Sequence, residues 1–174
     1  MAAPMQWGNT GHWYEFISTP TSATDAFTFA QASTFDGMHG YLATITSADE
    51  NWFVSNDIAG GSFAWLGGSD AGAPINQFTW RNGPETGQAF TYTSWWRDDP
   101  NNVGGEDYVF TNYQIGLWVD YTDSPFHRGE PIGYVIEYGD TPLPLVPEPE
   151  TYAMLLAGLG LLSIAAHRRK VTEA

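Results

Sequence analysis

The sequence predicts an α+β fold with two helices, short antiparallel sheets and a long loop region, followed by a single hydrophobic helix at the C-terminus. Three observations support this class. Helical patterns fall in the first third of the 174 residues, short apolar runs separated by turns follow them, and 19 glycines point to many loops. Hydrophobic residues make up 43% of the chain, enough for the core of one domain.

Two segments have helical patterns. Residues 21–34 open with Ser and Thr and repeat small or apolar residues at spacings of three and four. Residues 47–57 open with a capping box formed by Ser47 and Glu50, and they offer apolar side chains, Trp52 among them, for burial. We expect a helix over each segment.

Short runs rich in aromatic and β-branched residues predict strands. They are residues 12–17, 41–44, 64–67, 77–80, 108–110, 117–119 and 133–138. The connection over 70–107 is too long for an ordinary loop, and such loops are usually functional or disordered. Acidic and amide residues concentrate near its end, over 98–107. These are the oxygen ligands that Ca²⁺ prefers, although turn formation and a solvated surface are competing explanations.

Charge and composition exclude some functions. Of the 20 acidic residues, 19 precede position 151, against only Arg81, Arg97 and Arg128 in the same region. Nucleic acid is therefore not expected as a partner, because phosphate contacts need basic residues. The chain has no cysteine, no Gly-x-Ser-x-Gly motif and no clear catalytic triad. We therefore predict that the protein is not an enzyme.

The C-terminal segment has the order of a sorting signal. A proline-rich motif precedes an apolar run over 152–166 without charged residues, and a basic cluster follows the run. The signal residues are Val146, Pro147, Glu148, Pro149, Arg168, Arg169 and Lys170. The tail resembles the PEP-CTERM signal of Gram-negative bacteria. That resemblance implies export, transient anchoring in the inner membrane, cleavage by an exosortase, and release to the cell surface or extracellular matrix.

Residues 12–140 resemble a C-type lectin-like domain of a disulfide-free type. The supporting motifs, in the family's order, are residues 40–45, 47–51, 65–68, 78–83, 95–101, 105–107 and 118–120. The predicted organisation is an N-terminal extension over 1–11, the lectin-like domain over 12–140, a linker with the sorting motif over 141–150, and a transmembrane sorting helix with a basic tail over 151–174. Residues 1–4 resemble the end of a signal peptide, so we expect the true start to lie upstream.

The resemblance implies a principal Ca²⁺ site at Asp99, Asn101, Glu106 and Asp120. Its affinity is expected to be weakened, because Val119 stands where the family has an amide ligand. An auxiliary site would use Asp70, Asn102, Glu106 and Asp107.

By the same resemblance, the protein is a Ca²⁺-assisted carbohydrate-binding module for a glycan or exopolysaccharide. Asp99, Asn101 and Glu106 would contact the sugar and Trp96 would stack on it. The alternative is a protein-binding or matrix-structural module that uses the same scaffold without a sugar.

Overall fold

The computed structural model describes residues 3–142, and the side chains of residues 3–139 within them. The predicted transmembrane helix over 151–174 lies outside the described residues. Within 3–142 no helix is long and apolar enough to cross a membrane.

The described part of the chain contains two α-helices and eleven strands. The helices are α1 (Ala23–Ala32) and α2 (Ala48–Trp52), and a π-helix (Phe53–Ile58) continues α2. The strands are β1 (Met5–Gln6), β2 (Trp13–Ile17), β3 (Thr34–Phe35), β4 (Met38–Leu42), β5 (Ala64–Ser69), β6 (Thr79–Trp80), β7 (Tyr108–Thr111), β8 (Trp118–Tyr121), β9 (Phe126–His127), β10 (Glu130–Pro131) and β11 (Gly133–Pro142).

Nine of these strands form one mixed sheet around β11. The path runs β1-β2-β11-β5-β7-β8, β3 and β4 join beside β11, and β6 joins β5. β11 runs antiparallel to β2 and β4 and parallel to β5. β1 pairs with β2, so the sheet includes residues that the sequence assigned to an N-terminal extension. The predicted α+β class with two helices and short strands is confirmed, and β9 and β10 form a separate hairpin.

Two features position helix α1: a side-chain N-cap and a close contact with a glycine of the sheet. The hydroxyl of Ser22 accepts a hydrogen bond from the Asp25 amide, as expected of an N-cap residue. The buried face of the helix carries Ala23, Ala26 and Ala30. A Cβ at Gly40 of β4 would lie 2.7 Å from the carbonyl oxygen of Ala30, so the close packing of α1 on the sheet requires glycine there.

Helix α2 differs from its prediction in two ways. It ends at Trp52 and continues as a π-helix, and the Trp52 side chain is 59% exposed rather than buried. The inward positions are occupied by Glu50 and Asn51 instead. Asn51 accepts a hydrogen bond from the indole of Trp118 at 2.7 Å and donates one to the carbonyl of Gly116 at 2.8 Å. Polar contacts, rather than an apolar stripe, therefore set the orientation of α2.

A buried polar network joins β2, α2 and β11. The hydroxyl of Tyr14 lies 2.7 Å from Glu50 Oε1 and 3.0 Å from Glu137 Oε1. Glu137 also contacts His12 Nδ1 at 2.7 Å and accepts a hydrogen bond from the Thr44 amide at 2.9 Å. Both glutamates are 2% exposed, so protein groups replace the water that their carboxyls have lost. This network ties the two ends of the domain together without a disulfide.

Two aromatic-rich clusters form the core on either side of the sheet. Large, fully buried members include Trp80 and Trp118 in one cluster and Trp65 and Phe110 in the other. The Trp65 indole donates a 2.7 Å hydrogen bond to the carbonyl of Thr21. Strand β8 carries Trp118 into the core, and its next two residues reach the site described below.

Candidate functional site

One cavity of about 270 Å³ collects the residues of the predicted principal site. Its wall includes Asp99, Asn101, Glu106, Val119 and Asp120, which come from the loop over 98–107 and from β8. The other lining residues are Trp96, Arg97, Asp98, Tyr113, Tyr121, His127 and Arg128. Residues that are far apart in sequence therefore meet at one surface.

The loop is held against β8 by backbone and side-chain hydrogen bonds. The Trp96 amide donates to the Trp118 carbonyl at 2.7 Å, and the Trp118 amide donates to Ser94 at 2.8 Å. Asp120 accepts from the backbone amides of Asn101 at 3.1 Å and Asn102 at 2.7 Å. Asp120 thus orders the loop as well as contributing a carboxylate.

The carboxylates of the cavity carry uncompensated negative charge. Burial, contact with Asp120 and the charge of Asp120 raise the pKa of Asp99 to about 6. Burial first, then the charges of Asp120 and Asp99, raise the pKa of Glu106. The one ion pair among the described residues joins His12 to Glu137, so none of these three acids has a cationic partner there. Repulsion between these carboxylates favours the binding of a proton or a cation, which relieves it.

Short local contacts shape the remaining ligand candidates. The side-chain NH₂ group of Asn101 donates to Asp99 Oδ1. The side-chain oxygen of Asn101 accepts from the backbone amide of Val103 at 2.9 Å. Glu106 Oε2 also accepts from the Val103 amide, at 3.0 Å. Val119 is 6% exposed, and its side chain has only methyl groups at the position where the lectin-like resemblance predicts an amide oxygen. The Asp99-Pro100 peptide bond is cis.

The predicted auxiliary residues come from the two ends of the connection over 70–107, where the Asp70 amide donates to the Asp107 carbonyl at 3.2 Å. Asp70 is 3% exposed, and its Oδ2 accepts from the Asn76 amide at 2.7 Å, whereas Oδ1 has no hydrogen-bond partner. Burial first, and then the charges of Asp107 and Asp120, raise the pKa of Asp70. Asn102 Oδ1 accepts from the Glu106 amide at 2.9 Å, and that bond turns it toward the loop.

The oxygen ligands and the negative charge of the cavity suit a hard cation. The carboxylates are not, however, grouped around a single point. Carboxylate and amide oxygens are the ligands that Ca²⁺ prefers. Within residues 3–142, however, no three acidic or histidine side chains are grouped closely enough to hold a metal ion. Asp120 and Asn101 are engaged instead with amide groups of the loop.

Aromatic and basic side chains also line the cavity. The Arg97 guanidinium lies 4.8 Å from the Trp96 ring centroid, and Trp96 packs on Tyr113 at 5.5 Å. Arg128 lies 5.8 Å from the Tyr113 ring centroid. The predicted sugar-stacking residue Trp96 is half-buried and contacts both Arg97 and Tyr113.

Sequence reasoning missed five lining residues: Arg97, Tyr113, Tyr121, His127 and Arg128. His127 packs 4.9 Å from the Tyr121 ring, and neither ring nitrogen has a hydrogen-bond partner. Burial first, and then the charge of Arg128, lower its pKa. The scarcity of basic residues was the one signal in the sequence that could have indicated these arginines. Only three arginines precede position 151, and two of them line this cavity.

Structural comparison shows the fold. The crystal structure of the C-type lectin CEL-I from Cucumaria echinata superposes with a TM-score of 0.61 at 24% identity, over 80% of this chain and 99% of that chain. The domain has the C-type lectin-like fold. It contains no cysteine, in agreement with the predicted disulfide-free type.

Two curated relatives share sequence with the lectin-like domain. Halomucin from Haloquadratum walsbyi is 32% identical over 142 residues, which are 75% of this chain and 2% of halomucin. Lectin BRA-3 from Megabalanus rosa is 37% identical over 82 residues, covering 46% of this chain and 47% of BRA-3. The chain therefore spans less than half of either relative.

Residues 145–170 match the PEP-CTERM protein-sorting motif, which confirms the interpretation of the tail. The match contains every predicted signal residue from Val146 to Lys170. A sorting signal of this kind implies an exported protein with a membrane-anchored precursor. The matched residues lie outside the described part of the chain.

Proposed function

We propose that this protein is an exported carbohydrate-binding module whose lectin-like domain takes Ca²⁺ at the cavity formed by Asp99, Asn101, Glu106 and Asp120. One observation carries the proposal. Four carboxylates, those of Asp98, Asp99, Glu106 and Asp120, line a single cavity, and none has an ion pair within the described residues. A divalent cation would relieve the repulsion that raises the pKa values of Asp99 and Glu106.

Bound Ca²⁺ would supply open coordination positions for two neighbouring sugar hydroxyls, since calcium takes six to eight oxygen ligands. Asp99, Asn101 and Glu106 offer acceptor and donor groups to the same hydroxyls. Val119 contributes no oxygen, so we expect affinity in the range of extracellular calcium modules, about 10⁻⁴–10⁻³ M. Because the acids are not grouped in the structure, Ca²⁺ binding should be accompanied by a rearrangement of the loop over 99–106.

A glycan array probed with the full-length chain tests the proposal. In millimolar Ca²⁺ we expect binding to a restricted set of glycans, and addition of EGTA should abolish it. Glu106→Gln should weaken binding at least tenfold, because it removes a charged ligand. Glu130→Gln is the matched control, since Glu130 is exposed on β10 and does not line the cavity. Glycan binding that EGTA leaves unchanged would contradict a Ca²⁺-assisted site.

A protein-binding or matrix-structural role is the second candidate, and one observation favours it. Trp52 is 59% exposed and Ile115 is 58% exposed, and the hydrogen bond from Asn51 to Gly116 joins their segments. Paired apolar side chains of this kind are typical of contact surfaces. Trp52→Ala should then abolish retention of the protein in isolated matrix while leaving glycan binding intact. Under the carbohydrate-binding proposal, Glu106→Gln reduces retention and Trp52→Ala does not.

For the tail, we propose anchoring of the precursor in the inner membrane through 151–174, cleavage by an exosortase near Pro147, and release to the cell surface or extracellular matrix. The ordered Pro-Glu-Pro motif, apolar run and basic cluster support this route. Mass spectrometry of the released protein should find a C-terminus close to Pro147. Released protein that still carries Arg168 and Arg169 would contradict the cleavage.

A further inference from the structure

We propose that the cavity selects an acidic sugar, with the carboxylate of a uronic acid placed against Arg97 and Arg128. This inference rests on the proposed carbohydrate-binding function and adds the class of ligand. It starts from the distribution of charge. Residues 3–142 hold three cationic side chains, Arg81, Arg97 and Arg128, and two of them line the one cavity that holds the acidic cluster.

The two guanidinium groups are held in place but not neutralised. Arg97 stacks 4.8 Å from the Trp96 ring centroid, and Arg128 lies 5.8 Å from the ring centroid of Tyr113. Among the described residues neither forms an ion pair with an acid, although Asp98 and Asp99 follow Arg97 directly. Stacking leaves the planar N–H donors of a guanidinium free for a planar, bidentate acceptor such as a carboxylate.

The arginines and the carboxylates line the same cavity, but among the described side chains they form no ion pair with one another. Trp96 contacts Tyr113 at 5.5 Å, so the two rings form one continuous support for both guanidinium groups. His127 packs on Tyr113 at 5.6 Å and adds a third ring to this support. Asp120 and Glu106 are held by hydrogen bonds with backbone amides of the loop. A ligand that contacts both the arginines and the carboxylates needs an anionic group as well as hydroxyls.

Cavity size and overall charge narrow the ligand further. About 270 Å³ is slightly below the 300–1,000 Å³ usual for small-molecule sites, so it suits one sugar unit of a longer chain. The protein carries 20 acidic residues against six basic ones, and its field would repel an anionic polymer elsewhere on the surface. A uronic acid residue carries both vicinal hydroxyls and a carboxylate. The hydroxyls match the acidic cluster of this cavity, and the carboxylate matches its two arginines.

The test compares methyl α-D-mannuronoside with methyl α-D-mannoside in saturating Ca²⁺, by NMR chemical-shift titration of the full-length chain. The two probes differ only in a carboxylate against a hydroxymethyl group. We expect the uronoside to bind about tenfold more tightly, as a charge-assisted hydrogen bond predicts. The preference should shrink with added NaCl, because screening weakens exposed charge pairs.

Arginine variants assign the preference to the two side chains. Arg97→Gln and Arg128→Gln together should reduce the ratio of the two affinities to about one. Arg81→Gln is the control, because Arg81 lines other surface depressions and not this cavity. Equal binding of the two probes to the wild type would overturn the inference and leave the carbohydrate-binding proposal standing. Absence of binding by either probe would overturn the inference, whereas the glycan array decides the carbohydrate-binding proposal.

Discussion

The Asp120 carboxylate accepts a 2.7 Å hydrogen bond from the backbone amide of Asn102. Its other oxygen accepts from the Asn101 amide at 3.1 Å, and the side chain is 2% exposed. The residue that orders the loop is therefore also a candidate metal ligand. A cation drawn to Asp120 competes with these two bonds, so loop conformation and ion binding should be coupled.

Asp120→Asn should loosen the loop. The amide has a single oxygen for two backbone donors, and its NH₂ group faces the other donor. We expect a loss of about 1–3 kcal/mol in the free energy of unfolding and faster hydrogen exchange at Asn101 and Asn102. Urea denaturation and amide exchange measure both effects. Asp98→Asn is the control, because Asp98 is exposed; unchanged exchange in Asp120→Asn would count against the role of Asp120.

Val119→Asn should strengthen Ca²⁺ binding. It places a side-chain oxygen at the position that the resemblance assigns to an amide ligand, and we expect roughly tenfold higher affinity by isothermal titration. Burying an amide at a position that is 6% exposed should lower stability by about 1–3 kcal/mol.

Val119→Ala separates the added oxygen from the loss of the valine methyls. It also removes packing, but adds no ligand, so its Ca²⁺ affinity should stay at the wild-type level. Equal affinity in Val119→Asn and Val119→Ala would show that this position does not face the ion.

Glu50→Gln should flatten the dependence of stability on pH. Burial first, and then the charge of Glu137, raise the pKa of Glu50 above its ordinary value of 4.5. Between 4.5 and the raised pKa, the folded state binds more protons than the unfolded state, so stability falls as pH increases through that window. Glutamine removes this titration, and its side-chain oxygen can accept from the Tyr14 hydroxyl as Glu50 Oε1 does.

Urea denaturation at several pH values from about 4 to 8 measures the effect of Glu50→Gln. The other titratable groups of the network are His12, Tyr14 and Glu137, and Thr44 connects it to Glu85. Asp49→Asn is the matched control, because Asp49 lies on the same helix but is exposed. An identical slope in wild type and Glu50→Gln would refute the assignment.

Gly40→Ala should destabilise the domain without affecting the site. The added Cβ would meet Ala30 O at 2.7 Å and Ile136 Cγ2 at 2.8 Å, which forces α1 away from the sheet. We expect a cost of about 1–3 kcal/mol by thermal or urea unfolding. Gly8→Ala has no atom within 4 Å of its Cβ and serves as the control. A neutral Gly40→Ala would show that α1 packs less tightly than described.

Sequence reasoning succeeded where the information is local. The Ser and Thr residues that open 21–34, the capping box of Ser47 and Glu50, and the aromatic and β-branched run over 133–138 all specify nearby backbone, and helices and strands formed there. It failed at Trp52, because the inner face of α2 is chosen by the long-range partners Tyr14 and Trp118 rather than by hydrophobicity.

The same distinction holds for the cavity. A motif could indicate Asp99, Asn101 and Glu106, because these residues lie close together in the chain. Arg97 could be identified in the sequence only as a basic residue, because it belongs to no motif. Arg128 is distant in sequence and comes from the turn between β9 and β10. Only the folded structure shows that Arg97 and Arg128 line the same cavity as Trp96 and Tyr113.

Titration of the full-length chain with Ca²⁺, followed by NMR of backbone amides, tests the central claim most directly. We predict saturable shifts at Asn101, Asn102 and Glu106 with a dissociation constant of about 10⁻⁴–10⁻³ M, reversed by EGTA and needing at least about tenfold more Ca²⁺ in Glu106→Gln. Shifts that do not saturate at 10-fold higher Ca²⁺, or that persist unchanged in Glu106→Gln, would contradict the account.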